Sequence, residues 1–523
     1  MRPPSRARSV RFHREAERAA YDAIVVGSGI GGLTTAALLA RAGRSVLVVE
    51  RHDRPGGYAH AFRRGRFHID SAVHMVGGCD PERGPEGGLI GRLLELLEVG
   101  DRCQFEPIDP VYRAVYPGLT IDAPSGLEAF TATHAELFPA AATGLRELLG
   151  HCVEVRSELA RFSELSNPLD VLRDPDALPR LRAYGRSTLA QVARQSIGDP
   201  GLRAVIGTLW PYLGLPPDRV SFLYWATMLL SYVDDGAYYC KGTFQRLADA
   251  LAFSIKRAGG ELLLRSTVRR VQVQGGRACG IVLENGQRIS APVIVSNADV
   301  MQTATELVGE RDMPHGYLRS LERMERSTSA FVVYAATELD LVRLGARHET
   351  FVFQDWDHAT AYERTQAGNP DWITITVPTL SDPDLAPPGQ HLLVLTTLLP
   401  YAASKDWRAA KPRWTERLLE IAARQYPGLL GSLTFVEAAT PRTMERYTRN
   451  TEGAIYGWAL GPNQIGPQRT ACRSPLPGLH LAGHWTQPGG GVYGVTSSGL
   501  NCAREILGYR TARELFDSLA SST

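Results

Sequence analysis

The chain has 523 residues, 44% of them apolar, and its 57 Lys+Arg against 55 Asp+Glu leave a net charge of +2. That length and apolar content can bury sizeable cores without disulfide or metal staples and exclude disorder as the main state. The balanced charge gives no reason to expect nucleic acid as a partner. Only four basic residues are Lys (Lys241, Lys256, Lys405 and Lys411), and the Arg bias reads as a G+C-rich, bacterial base composition. The seven Cys are scattered and none forms a C-x-x-C, so free thiols in a reducing cytoplasm are expected, with no metal site.

Residues 1–20 carry six Arg and no apolar stretch, which excludes a secretory signal and reads as a flexible basic arm. Attraction of that arm to anionic headgroups would give a peripheral membrane contact, so the expected location is cytoplasmic with membrane association left open. Ala23–Val26 is apolar throughout, as in a parallel strand buried on both faces. Gly27-Ser28-Gly29-Ile30-Gly31-Gly32 follows, then helix formers over 33–42, the helix stop Gly43, and a second buried strand over 45–49 closed by Glu50. Gly27 permits the turn off the strand, Gly29 a close backbone approach to a pyrophosphate, and Gly32 tight helix–strand packing. Glu50 stands 18 residues after Gly32, near the spacing of a carboxylate that accepts from ribose hydroxyls. Strand, glycine turn, helix and terminal acid together predict a dinucleotide site with its phosphates on the helix N-terminus.

Further along, 220–233 is the longest apolar run, 14 residues, short of the roughly 18 that span a membrane. It predicts a core helix or a cavity wall, with Trp225 as the candidate lining residue. Short strands over 262–264, Val268–Gln274 and 279–283, with turns at Gly275-Gly276 and Asn285-Gly286, predict an antiparallel meander, and 293–295 returns to a buried strand. Near the C-terminus a strand over 478–482 ends at Gly483, and Gly489-Gly490-Gly491-Val492 leads into a helix that ends near Leu507. The glycine loop fits anion stabilisation at a helix start rather than a second nucleotide fold.

These islands occur in an order that resembles the phytoene desaturase family of FAD enzymes, which includes carotenoid isomerases and retinol saturases. The resemblance rests on the 21–57 unit, on GTFQRLADALAFSIKRAGGELLLRSTVRRVQVQGG and on PGLHLAGHWTQPGGGVYGVTSSGLNCAREI. GGYAHAFRRGRFHIDSAVHMVGG is most similar to the saturase and isomerase branch. The resemblance implies an α/β fold: a Rossmann-like FAD-binding domain (21–100, 236–300 and 456–515) with an inserted meander, a mixed α+β substrate domain (301–455), and a largely helical substrate or lid region (101–235). It implies FAD as cofactor. Gly27, Gly29 and Gly32 would face the pyrophosphate, Glu50 the adenosine ribose, Arg51 the adenine, and Gly56 and Gly57 the flavin side. Val268 would bond the adenine through its backbone, Gly483 would sit by the ribitol, and Gly491 with Val492 would offer N–H groups to the flavin. The chain reads Tyr239-Cys240-Lys241-Gly242-Thr243 where the family often has Y-P-K-G-G.

The implied reaction is at C=C bonds of a long apolar, polyene or isoprenoid-like substrate: saturation, cis–trans isomerisation or desaturation. The electron donor or acceptor is external. Flavin chemistry at allylic carbons needs no strong base, which fits the lack of a catalytic dyad in the sequence. Asp70 and His74, following the glycine pair, are the candidate catalytic residues, with His60, Tyr493 and His484 as weaker proton donors. Two rivals share the fold. An amine oxidase usually carries a lysine on its substrate domain, and none occurs between Lys256 and Lys405. A non-catalytic isoprenoid-binding escort protein would not keep the whole set of cofactor residues.

Overall fold

The computed structural model describes residues 15–84, 88–163, 165 and 177–521. Five apolar strands form a wholly parallel sheet in the order Glu261–Leu263, Val46–Val49, Ala23–Val26, Val293–Ser296 and Leu479–Leu481. Every residue of Ala23–Val26 and Val46–Val49 is buried, which is why these strands carry no polar alternation. On one face Ala23, Val25, Val46 and Val48 pack under the helices Ile30–Arg41 and Val492–Leu507. A Cβ at Gly499 would lie 2.4 Å from the Gly31 carbonyl oxygen, so glycine lets these two helices touch. On the other face Ile24, Val26, Leu47 and Val49 pack against the meander Val268–Gln274, Arg277–Leu283 and Arg288–Ser290. The expected α/β architecture with its inserted meander is present.

A second sheet of seven strands runs in the order Leu433–Ala439, Ser329–Thr337, His391–Leu399, Trp372–Thr376, Glu349–Phe353, Tyr112–Tyr116, Leu119–Ala123. Its pairs are antiparallel except for Glu349–Phe353 with Tyr112–Tyr116. One face (Phe331, Val333, Leu393, Leu395) is covered by the helix Trp407–Gln425. The other looks toward the parallel sheet and the helical region.

Three expectations need correction. Residues 1–14 of the supposed basic arm lie outside the described residues, but 16–20 are docked: Ser290 N donates to the Ala19 carbonyl (2.9 Å), and Ala16 exchanges hydrogen bonds with the Gln287 side chain. The 101–235 region is not helical from its start. Phe105–Ile108, Tyr112–Tyr116 and Leu119–Ala123 are strands, because Pro107 and Pro110 suit extended backbone and Tyr112, Val115 and Tyr116 suit a pleated surface. Trp225, on the helix Phe222–Val233, is wholly buried and stacks on Phe222 in the core, whereas Tyr232 from the same helix lines a cavity at the edge of the parallel sheet. Among the described residues no helix is long and apolar enough to cross a membrane.

Candidate active site

The C-terminal ends of the parallel strands converge on one edge, and the backbone ladder continues past them. Gly27 N donates to the Val49 carbonyl (2.8 Å), Glu50 N to Leu263 (2.8 Å), Asn297 N to Val26 (2.9 Å) and Ala482 N to Ser296 (2.9 Å). The sheet thereby delivers Gly27, Glu50, Asn297 and Gly483 to the edge where open parallel sheets bind ligands. All four line a cavity of about 360 Å³ that extends to the inner face of the seven-stranded sheet.

Gly29, Arg51, Gly56, Gly57, Val268, Gly491 and Val492 also line this cavity. Gly32 does not: a Cβ there would lie 2.5 Å from the Gly27 carbonyl oxygen, so it serves the helix–strand packing behind the site. Ser28 donates to Glu50 Oε2 from its backbone N (2.9 Å) and its hydroxyl (2.8 Å), and His52 N donates to Oε1 (2.7 Å). The carboxylate is thus aimed before any ligand arrives. Arg51 donates from its guanidinium to the Arg446 carbonyl, tying this part of the cavity rim to the helix Pro441–Thr448.

The cradle fits a dinucleotide with a flavin. Both helices that open on the cavity start at glycines, Gly29 and Gly491, and neither start has a side-chain cap. Their first N–H groups remain available to an anion. Gly491 holds φ +78° and a Cβ there would meet nothing within 4 Å, so its backbone stands beside open cavity. Gly56 and Gly57 take φ +125° and +58° and turn the chain against Gly29; a Cβ on Gly57 would sit 3.1 Å from the Gly29 Cα. FAD, when bound, supplies two-electron transfer, and the residues here would hold and orient it. A carboxylate–hydroxyl hydrogen bond contributes about 1.5–3 kcal/mol. Glu50→Ala is therefore expected to weaken FAD binding about 10- to 150-fold. Titration of the apoprotein by flavin fluorescence checks this, and an unchanged Kd would remove Glu50 from the site.

The two candidate catalytic residues separate. His74 lines the cavity, fully buried, with Nδ1 unpartnered, and burial pushes it down to about 3. Asp70 does not line it. Its two oxygens accept from the Tyr239 hydroxyl (2.6 Å) and Phe244 N (2.8 Å), and burial pushes it up to about 7. Asp70 thereby braces the turn where Thr243 stands in place of a glycine and holds φ +81°, a conformation that costs about 1–2 kcal/mol for a residue with a Cβ. His60 and His484 line the cavity, each hydrogen-bonded to a backbone carbonyl, and burial pushes both down to about 4. All three histidines are neutral at physiological pH. Tyr493 is not among the lining residues.

Some lining residues were not singled out from the sequence. Asn297 fills the space between the glycines: a Cβ on Gly29 or Gly483 would lie 2.6 Å from its side-chain amide. The far wall is the inner face of the seven-stranded sheet, through Ala330, Val332, Trp372, Thr374, Thr396 and Leu398, closed by Tyr212, Tyr232 and Tyr456. Glu349 is the sheet's one carboxylate among the lining residues. None of the four lysines lines this cavity.

The family described as flavin containing amine oxidoreductase matches residues 30–507. The chain is similar to the all-trans-retinol 13,14-reductase of Macaca fascicularis, 28% identical over 93% of this chain and 85% of that one. It is similar to the lycopene-forming phytoene desaturase of a Paracoccus species, 27% identical over 94% of this chain and 98% of that one. A crystal structure of an oxidoreductase from Methanosarcina mazei shares the fold, with a TM-score of 0.63 and 18% identity over 93% of this chain and 99% of that one. That family match covers most of the chain, with Glu50 and the Gly491 helix start inside it, so the chain belongs to the flavin containing amine oxidoreductase family and is an FAD-dependent oxidoreductase.

Proposed function

We propose that this enzyme acts on a C=C bond of a long apolar, polyene or isoprenoid-like substrate, in the direction of saturation. One observation carries the substrate class: the cofactor cradle opens directly onto a wall of aliphatic side chains and aromatic rings, Ala330, Val332, Trp372 and Leu398 with Tyr212, Tyr232 and Tyr456. The direction rests on the likeness of the 56–78 stretch to the saturase and isomerase branch. Such a wall binds by excluding water from an apolar chain, and burial shifts Glu349, its one carboxylate, toward the neutral form, which weakens its hold on an ammonium group. The relatives named as a retinol reductase and a phytoene desaturase support the same substrate class. Electrons enter from an external donor. Peripheral contact with a membrane, the natural reservoir of such substrates, completes the proposal. The test is anaerobic incubation of dithionite-reduced holoenzyme with a panel of polyenes, followed by mass analysis. The expected product is two hydrogens heavier than its substrate. Loss of two hydrogens from substrate on oxidised enzyme, or an unchanged mass with shifted retention, would replace saturation by desaturation or isomerisation. Recovery of every polyene unchanged would overturn the substrate class.

A further inference from the structure

Glu349 opens the strand Glu349–Phe353 in the centre of an apolar sheet face. Side chains alternate along a strand, so Glu349 shares the inner face with Phe351 and Phe353, while Val352 packs into the core behind the sheet. The residue is 0% exposed and lines the same cavity as the cofactor cradle. Thr376, directly opposite on the neighbouring strand, donates to Oε2 (2.7 Å). Oε1 makes no hydrogen bond of good geometry, and the Tyr212 hydroxyl is the other donor that bears on the carboxyl.

The contrast with Asp70 is instructive. Both carboxyls are buried and both are pushed up to about 7 by burial. Asp70 has each oxygen taken by a donor that fixes a turn. Glu349 fixes nothing with Oε1, and an ionised carboxylate with a vacant oxygen in an apolar wall costs several kcal/mol, so the neutral acid is the favoured form. The titratable groups that bear on it are the Tyr212 hydroxyl, which favours its ionised form, and Tyr232 and Tyr426, whose own phenols it raises. His60, His74 and His484, which line the same cavity, are held neutral by burial.

Resting on the saturation reading above, we propose that Glu349 donates the proton in that reaction. One alkene carbon takes a hydride from reduced FAD and its neighbour takes the proton from Glu349. The π bond breaks, two C–H bonds form, the substrate gains two electrons and the flavin loses two. The carboxylate then regains a proton from water, and an external two-electron reductant restores the flavin.

The test uses dithionite-reduced holoenzyme in single turnover with a polyene that the wild-type protein saturates, compared with Glu349→Gln and Thr376→Val. A positioned general acid contributes about 10²–10⁴-fold. Glu349→Gln is expected to lose that factor at saturating substrate, with substrate Kd and flavin absorbance unchanged. The wild-type rate should fall as pH rises through about 7, where the acid gives up its proton. Removing the Thr376 donor, which favours the ionised form, should move that limb to higher pH. Independently of turnover, the infrared carbonyl band of a protonated carboxyl should fade across the same pH range in wild type, and Glu349→Gln should lack that component. Three results overturn the assignment: an undiminished rate in Glu349→Gln, a pH limb that survives the substitution, or a weakened Kd with an unchanged saturating rate. The last would make Glu349 a contact for a polar substrate group. If the wild-type protein saturates no polyene, the parent reading fails and takes this one with it.

Discussion

Gly29→Val yields protein that folds but purifies without flavin colour. Gly29 has φ −63°, which any residue adopts, so the backbone of the turn is not broken. The added Cβ would sit 2.6 Å from the Asn297 side-chain amide, a flexible group that can move aside. The valine takes up room beside Asn297 at the mouth of the helix N-terminus, where the phosphates must come close to the backbone N–H groups. Circular dichroism and flavin absorbance measured on the same sample check both halves of the statement. A yellow, fully loaded Gly29→Val protein would show that the phosphates lie elsewhere.

Trp225→Ala costs about 3–5 kcal/mol of stability, the usual loss for a buried Trp truncated to Ala. Its indole is wholly buried, stacks on Phe222 and does not touch the cavity. The indole N–H has no partner, so truncation strands no acceptor and the loss is one of packing. Denaturant titration should show an earlier midpoint, while relative turnover across polyenes of different length stays as in wild type. Altered chain-length selectivity at unchanged stability would return Trp225 to the cavity wall.

The cofactor half of the molecule was legible because its signals are local. The 23–50 unit places strand, glycine turn, helix and acid within one short stretch, and the turns at Gly275-Gly276 and Asn285-Gly286 need positive φ, which glycine provides. Even there, Gly32 carried two meanings, cradle and packing, and only the contact with the Gly27 carbonyl separates them. The substrate half was less legible because its sheet is assembled from distant segments. Tyr112–Tyr116 finds its parallel partner in Glu349–Phe353, and no periodicity encodes that pairing. The prolines before Tyr112 suit extended chain as readily as they break helices, which is how strands were mistaken for helix. The 220–233 run is apolar on every side, so sequence could not say that Tyr232 faces the cavity and Trp225 the core. The clue to Glu349 was present: a single acid at the head of the apolar run Glu349–Phe353. A strand that begins at the surface would look the same, and only the sheet order shows that this one begins in the interior.

The central claim, carbon–carbon rather than carbon–nitrogen chemistry in this cavity, is tested most directly by one anaerobic comparison. The holoenzyme is followed by flavin absorbance while the oxidised form is mixed with primary and secondary amines and the reduced form with polyenes, and each mixture is then analysed by mass. Oxidised flavin that stays unbleached by every amine, with a polyene converted in the reduced arm, is the predicted result. Rapid bleaching by an amine, with the polyenes recovered unchanged, would contradict it.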